Sequence, residues 1–275
     1  MNGPFAAFNP ITTRWAPANA LGAAYAARLA YLSPAKCQAQ ALAWGFDRFA
    51  FLEQKDRKNR LLDTQAFVAG TDEMILVSFR GTEPSKATDW LTDLDALMRP
   101  LDGGGYVHKG FYDALDVVYA DLLDTLKRFQ DKAQALWITG HSLGAALATL
   151  AATRIFMQER RPVYGVHTFG QPRTGDVAFG NRYDTELGDK TWRFVNNRDI
   201  VTRLPPRELF YAHVGQLMFF DKQGVLHHDE HFWNKFLMEV EVGIAGFMDP
   251  PATVADHSMD LYIKNVAKNQ SFQMP

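Results

Sequence analysis

Gly140-His141-Ser142-Leu143-Gly144 has the form Gly-x-Ser-x-Gly, and its flanks give it meaning. Ahead of it runs Ala135-Leu136-Trp137-Ile138-Thr139, short, apolar and partly β-branched, the pattern of a buried strand. Behind it, residues 143–159 are rich in Ala and Leu, the composition of a helix. A serine between such a strand and such a helix sits on a very tight turn. A Cβ at either glycine would collide with the neighbouring strand or helix. The turn lifts the hydroxyl above the sheet edge, with the helix N-terminus aimed at the same point. The pentapeptide therefore marks Ser142 as a nucleophile; a small-residue turn chosen only for packing is the plainer alternative.

A serine hydroxyl is hardly ionised at neutral pH, so a histidine must take its proton as the oxygen attacks. A carboxylate must then hold the imidazole in the correct tautomer. On this kind of turn the partners follow in the order Ser, Asp or Glu, His. Five histidines lie beyond His167. His213, in Phe210-Tyr211-Ala212-His213-Val214, belongs to an alternating run that reads as a strand interior, which makes it structural. His227, His228 and His231 cluster with Asp229 and Glu230. His227 and His231 have the i, i+4 spacing that holds a metal on a helix, but the wider ligand set of a zinc signature is missing, and a solvated turn is expected. His257 follows the loop Asp249-Pro250-Pro251-Ala252-Thr253 and precedes Met259-Asp260-Leu261-Tyr262-Ile263, an expected final helix. A loop histidine so late in the chain reaches over the strand ends as a base, or else caps the helix.

Asp176, Asp184, Asp189, Asp199, Asp221 and Asp229 are the candidate acids. Only Asp199 directly follows a convincing strand, Thr191-Trp192-Arg193-Phe194-Val195-Asn196, with a stop at Pro205-Pro206 beyond it. Strand C-terminal ends are where α/β sheets place their chemistry. The competing reading pairs Asp199 with Arg198 or Arg203, and surface pairs of that sort contribute little.

In order along the chain, these segments resemble the class 3 lipase family, whose familiar members are filamentous-fungal triacylglycerol lipases. Val77-Ser78-Phe79-Arg80-Gly81-Thr82 resembles the family's strand and oxyanion loop, and His108-Lys109-Gly110-Phe111 the segment before its first long helix. The pentapeptide matches the elbow, and Thr168-Phe169-Gly170-Gln171-Pro172-Arg173 the strand after it. Asn197-Arg198-Asp199-Ile200-Val201-Thr202-Arg203-Leu204-Pro205 resembles the acid segment; Asp256-His257-Ser258 with Tyr262 resembles the histidine segment. The likeness spans residues 20–265. It implies Ser142 as nucleophile, Asp199 as orienting acid and His257 as base, with Thr82 and Leu143 supplying the oxyanion hole. Fixed donors there stabilise the tetrahedral oxyanion without reorganising.

Composition agrees with one enzyme domain. The 275 residues carry 29 Lys and Arg against 31 Asp and Glu, a net charge of -2. No basic run points to nucleic acid, and no uninterrupted apolar window is long enough for a transmembrane segment. No basic residue precedes Arg14, and Pro4, Asn9 and Pro10 break the N-terminus, so no secretory signal peptide is expected. The single cysteine, Cys37, cannot form an intrachain disulfide. A soluble protein is expected, cytoplasmic or exported without a recognisable signal.

The expected architecture is the α/β-hydrolase fold: one domain over 1–275, a mostly parallel central sheet with an antiparallel N-terminal part, and helices on both faces. Residues 19–32 read as a helix, and Ser33-Pro34 opens a second that ends near Gly45. Strands are expected over 46–53, 61–69 and 74–79, with a charged turn at 56–60. Phe111, Leu115, Val118, Leu122, Leu126 and Phe129 share one face of a long helix. Strands and helices then alternate through residue 199, which argues for parallel strands with crossover helices.

Two apolar segments bear on substrate. The family's lid is expected within 84–100, where Trp90, Leu91, Leu94, Leu97 and Met98 fit a helical stripe that either covers the serine or packs permanently on the core. Residues 232–248 are apolar too, either walling an acyl pocket or forming a core helix. The expected activity is hydrolysis of acylglycerol or related fatty-acyl esters, with transient contact at a lipid-water interface and no metal or organic cofactor. The alternatives are a phospholipase A1, a feruloyl-type esterase, or a non-catalytic binding or signalling protein on the same scaffold.

Overall fold

A computed structural model describes residues 1–54, 64–82, 97–228 and 255–274. Alternation of side chains along the strands builds two cores, one on each face of a central sheet. On β3 (Met74–Phe79), Ile75, Val77 and Phe79 point to one core while Met74 and Leu76 point to the other. Both faces are apolar because both are covered, as the near-continuous apolar run of the strand requires.

Antiparallel β1 (Arg48–Gln54) and β2 (Thr64–Gly70) lead into β3. From β3 the sheet continues in parallel through β6 (Ala135–His141), β7 (Gly165–Phe169), β9 (Thr191–Asn196) and β11 (Gln216–Phe220). The short antiparallel β12 (Leu226–His227) closes the edge. Among the described residues this makes eight strands, ordered β1-β2-β3-β6-β7-β9-β11-β12. A second, antiparallel sheet joins β4 (Met98–Pro100), β5 (Tyr106–His108), β8 (Gly175–Asp176) and β10 (Tyr211–Ala212) in the order β10-β8-β5-β4.

Helices α1 (Pro17–Leu29), α2 (Pro34–Ala43) and α6 (Met259–Lys268) cover one face. Helices α3 (Lys109–Phe129), α4 (Leu143–Met157) and α5 (Val177–Leu187) cover the other. The apolar stripe read on α3 faces the core, with Phe111, Leu115, Val118, Leu122 and Leu126 buried. Helix α4 is buried from Gly144 to Ile155, mostly Ala and Leu as befits a central helix, with Thr149 and Thr153 bonded back to carbonyls one turn earlier and Arg154 paired with Asp116. The alanines of α1 let its backbone approach the sheet closely: Ser78 Oγ donates to the Ala26 carbonyl at 3.0 Å and Thr139 Oγ1 to that of Ala23 at 3.2 Å.

The expected fold class is therefore the observed one. Two local expectations change. Residues 210–214 are not a continuous strand: Phe210 adopts a left-handed conformation with φ 67°, and β10 is only Tyr211–Ala212, so His213 lies beyond it. The helical stripe does not reach Met98, because backbone pairing with β5 puts Met98–Pro100 in a strand. The expected lid from 84 to 96 lies outside the described residues, as do 55–63 and the apolar segment 232–248.

His167 on β7 lies buried between the indoles of Trp137 and Trp192, at 5.7 Å and 4.8 Å, with no hydrogen-bond partner for either ring nitrogen among the described residues. Burial pushes its pKa down to about 3. The unfolded chain therefore takes up this proton first as the solution is acidified. The stability His167 contributes is complete above about pH 6.5 and drains away toward pH 3, at about 1.4 kcal/mol per pH unit. His167→Phe should make the acid limb shallower by that slope in urea unfolding across a pH series. An unchanged slope would mean that the folded ring already carries the proton.

Candidate active site

The elbow forms because two positions tolerate no side chain. A Cβ on Gly140 would lie 2.2 Å from the Gly144 carbonyl oxygen, and one on Gly144 would lie 2.3 Å from that of Phe79. With both absent, β6 runs straight into α4 through Ser142, which is held at φ 60°, ψ −130°. A non-glycine residue there is strained, and such strain persists only where its surroundings enforce it. Here the Ser142 N–H donates to the Phe169 carbonyl at 3.0 Å and its own carbonyl accepts the Ala145 N–H at 2.9 Å. Leu143 opens α4, so its N–H is one of the donors that a helix start leaves free of intrahelical bonds.

Residues Gly81 and Thr82 follow β3 across this turn. A Cβ on Gly81 would lie 2.4 Å from the His141 carbonyl oxygen and 2.9 Å from Ser142 Cβ, so the loop rests directly on the elbow. Thr82, next along, is half-buried.

The acid and the histidine meet 58 residues apart. His257 Nδ1 lies 3.0 Å and 2.9 Å from the two carboxylate oxygens of Asp199. Asp199 also accepts the Val201 N–H at 2.9 Å and the Tyr262 hydroxyl at 2.6 Å. Tyr262, on α6, in turn accepts the Asn196 N–H at 3.0 Å. Burial pushes the Asp199 pKa up, but the charge and N–H of His257 and the Tyr262 hydroxyl outweigh it and leave the carboxyl below its usual range. The loop carrying His257 is pinned at Asp256, whose carboxylate accepts the Arg198 N–H at 3.1 Å and whose carbonyl accepts Asn196 Nδ2 at 2.9 Å. Gly170 keeps the space open, since a Cβ there would lie 2.8 Å from both the Asp199 carboxylate and the His257 ring.

Ser142 Oγ and His257 Nε2 are both buried, and neither has a hydrogen-bond partner among the described residues. The two are not bonded to each other at rest, a separation that substrate binding tightens in serine enzymes.

The structure thus brings Asp199 and His257 together and puts Ser142 on the elbow, where the ring of the preceding His141 lies 4.4 Å from that of His257. The other candidate histidines go elsewhere. His227 is in β12 rather than on a helix, with Nε2 2.9 Å from Asp221 Oδ2. His231 lies outside the described residues. Among the described residues no cluster of three or more His, Cys, Asp or Glu is placed to hold a metal, and no helix is long and apolar enough to cross a membrane. Tyr262 entered the sequence reading only through the likeness to the histidine segment; its bond to Asp199 was not expected, because a tyrosine on an amphipathic helix reads as core.

Residues 76–209 match the family described as lipase (class 3). The triacylglycerol lipase OBL1 of Arabidopsis thaliana is 31% identical over 231 residues, 66% of this chain and 44% of that protein. A lipase of Rhizomucor miehei is 38% identical over 167 residues, 57% of this chain and 45% of that one. This chain thus spans less than half the length of either relative. A triacylglycerol lipase structure described as having a serine protease triad for its catalytic centre aligns with TM-score 0.58 and 28% identity over 74% of this chain and 79% of the other. By these matches the chain belongs to the class 3 lipase family.

Proposed function

We propose that this protein is a serine carboxylic-ester hydrolase of lipase type, acting on acylglycerols or related fatty-acyl esters. One observation carries the reading: Asp199 holds His257 by Nδ1, so that Nε2 is left unpaired and buried, as is the hydroxyl of Ser142 on the elbow whose His141 ring lies 4.4 Å from that of His257. An imidazole held by a carboxylate at Nδ1 has its proton there, and its Nε2 lone pair is free to take the serine proton.

In this mechanism Ser142 Oγ attacks the ester carbonyl carbon as its proton passes to His257 Nε2. The oxyanion forms against the N–H groups of Thr82 and Leu143, the second of them at the positive end of α4. Collapse expels the alcohol, which takes the proton from His257 and leaves an acyl-enzyme. Water, deprotonated by the same nitrogen, releases the carboxylic acid and restores the serine.

The test is covalent. A fluorophosphonate probe should label this protein once, at Ser142, and block hydrolysis in proportion to labelling. A protein that does not label would instead be a binding scaffold. Rates on triacylglycerol emulsions, phospholipid vesicles and soluble aryl esters then assign the substrate class. A preference for vesicles would make it a phospholipase A1, and one for soluble aryl esters a feruloyl-type esterase.

A further inference from the structure

Two polar side chains beside Ser142 and His257 take no part in the mechanism above. Tyr31 lies just past α1, and its hydroxyl is 2.7 Å from Nδ1 of His141, the residue before the serine. Nε2 of the same ring is 2.7 Å from the backbone carbonyl oxygen of His257.

The proton positions follow from the acceptors. A carbonyl oxygen only accepts, so His141 Nε2 carries a proton. A neutral imidazole has one such proton, so Nδ1 accepts and the Tyr31 hydroxyl donates. The ring is neutral: burial pushes its pKa down to about 3, the charge of His257 adds to this, and Asp199 and the His257 carbonyl oppose it. At its other end the phenol faces the oxyanion loop, for a Cβ on Gly81 would lie 2.5 Å from the Tyr31 oxygen. Burial raises the Tyr31 pKa, while Arg80 and the Gly81 backbone N–H partly offset it.

Four segments far apart in sequence therefore meet in one line: the Gly81 loop, the end of α1, the elbow and the His257 loop. The line also stacks two rings, His141 and His257, with centroids 4.4 Å apart and planes 30° from parallel.

We propose, on the esterase reading above, that Tyr31 and His141 are positioning residues that tie the backbone of His257 to the oxyanion loop through Ser142's own turn. Asp199 fixes only one ring nitrogen of His257, and a ring held at one atom can still pivot. Holding its backbone carbonyl as well fixes where Nε2 points. Because the same line ends at Gly81, the base and the oxyanion donors keep a common register about the serine. A misplacement of about 1 Å at such a centre costs about a hundredfold in rate. His141 also presents a neutral face to the imidazolium that forms during reaction, where a second positive ring would oppose it.

Tyr31→Phe keeps the ring and removes the donor. With 4-nitrophenyl butyrate it should lower kcat about tenfold at unchanged KM, with Tm within about 2 °C of the wild type. His141→Leu should lose about a hundredfold, and His141→Gln, which keeps an N–H near the Nε2 position, should recover most of that. A wild-type kcat in Tyr31→Phe, or equal losses in the Gln and Leu variants, overturns the proposal. Should the variants not fold, nitrogen NMR of the wild-type protein decides. His141 should stay in the neutral Nε2–H tautomer from about pH 8 to about pH 5. The Nδ1–H tautomer, or a protonated ring, refutes the hydrogen-bonded line. A wild-type protein that neither turns over the ester nor labels at Ser142 sinks the esterase reading instead, and the tautomer measurement still reads the line by itself.

Discussion

Ser142→Ala should lower kcat for aryl-ester hydrolysis by about a millionfold and leave the fold intact. The size of the loss follows from what the hydroxyl does. Without it no acyl-enzyme forms, and His257 has no serine proton to take. What survives is the environment: oxyanion donors and a bound ester attacked directly by water, worth about a thousandfold to ten-thousandfold over solution. The fold should tolerate the change because Oγ has no hydrogen-bond partner to lose among the described residues. Removing an unpaired buried hydroxyl also ends a desolvation cost of about 1–3 kcal/mol. Stability should therefore hold or rise while activity vanishes. Thermal unfolding and initial rates on the same preparation read both. A variant that keeps more than about a hundredth of the wild-type kcat would place the nucleophile elsewhere.

Much of this site was legible before any coordinates. The pentapeptide with a strand before it and a helix after it placed Ser142, because two glycines in close backbone contact leave few other structures. Asp199 stood out because it follows a six-residue strand, and strand ends set the chemistry of such sheets. The order Ser, Asp, His limited the base to the five late histidines, and the loop before the final helix singled out His257. What could not be read were contacts made across the fold. Tyr31 and His141 are separated by 110 residues, and no periodicity joins them. The second sheet escaped for a related reason. Its strands run two or three residues each, too short for alternation to register, and they pair segments from three separate connections. The strand around His213 was read too long because a five-residue alternating run was taken as one strand. A left-handed Phe210, with φ 67°, cuts that run short, a conformation uncommon for a phenylalanine and without a signal in the alternation.

Asp199→Asn should cost about ten-thousandfold in kcat, more than loss of a charge by itself explains. The carboxylate is surrounded by donors: the Val201 N–H on one oxygen, the Tyr262 hydroxyl on the other, and His257 Nδ1 between them. An asparagine brings one acceptor where two are demanded. If its carbonyl faces Val201, its amide N–H₂ faces Tyr262 and His257. It then donates to Nδ1, and the imidazole proton moves to Nε2, where it blocks the lone pair that must deprotonate Ser142. If the amide is turned the other way, two N–H groups confront each other at Val201 in a fully buried site. That arrangement leaves an unmet donor costing about 1–3 kcal/mol. The first arrangement is the cheaper, so the fold survives with its base in the wrong tautomer. Because the defect is a misplaced proton, the rate should recover in part at high pH, as hydroxide takes over from the imidazole as base. The pH–rate profile of the variant separates this from simple loss of structure: a rate climbing through alkaline pH marks the tautomer, and one that stays flat at the background level would mean that Asp199 holds up the site rather than its chemistry.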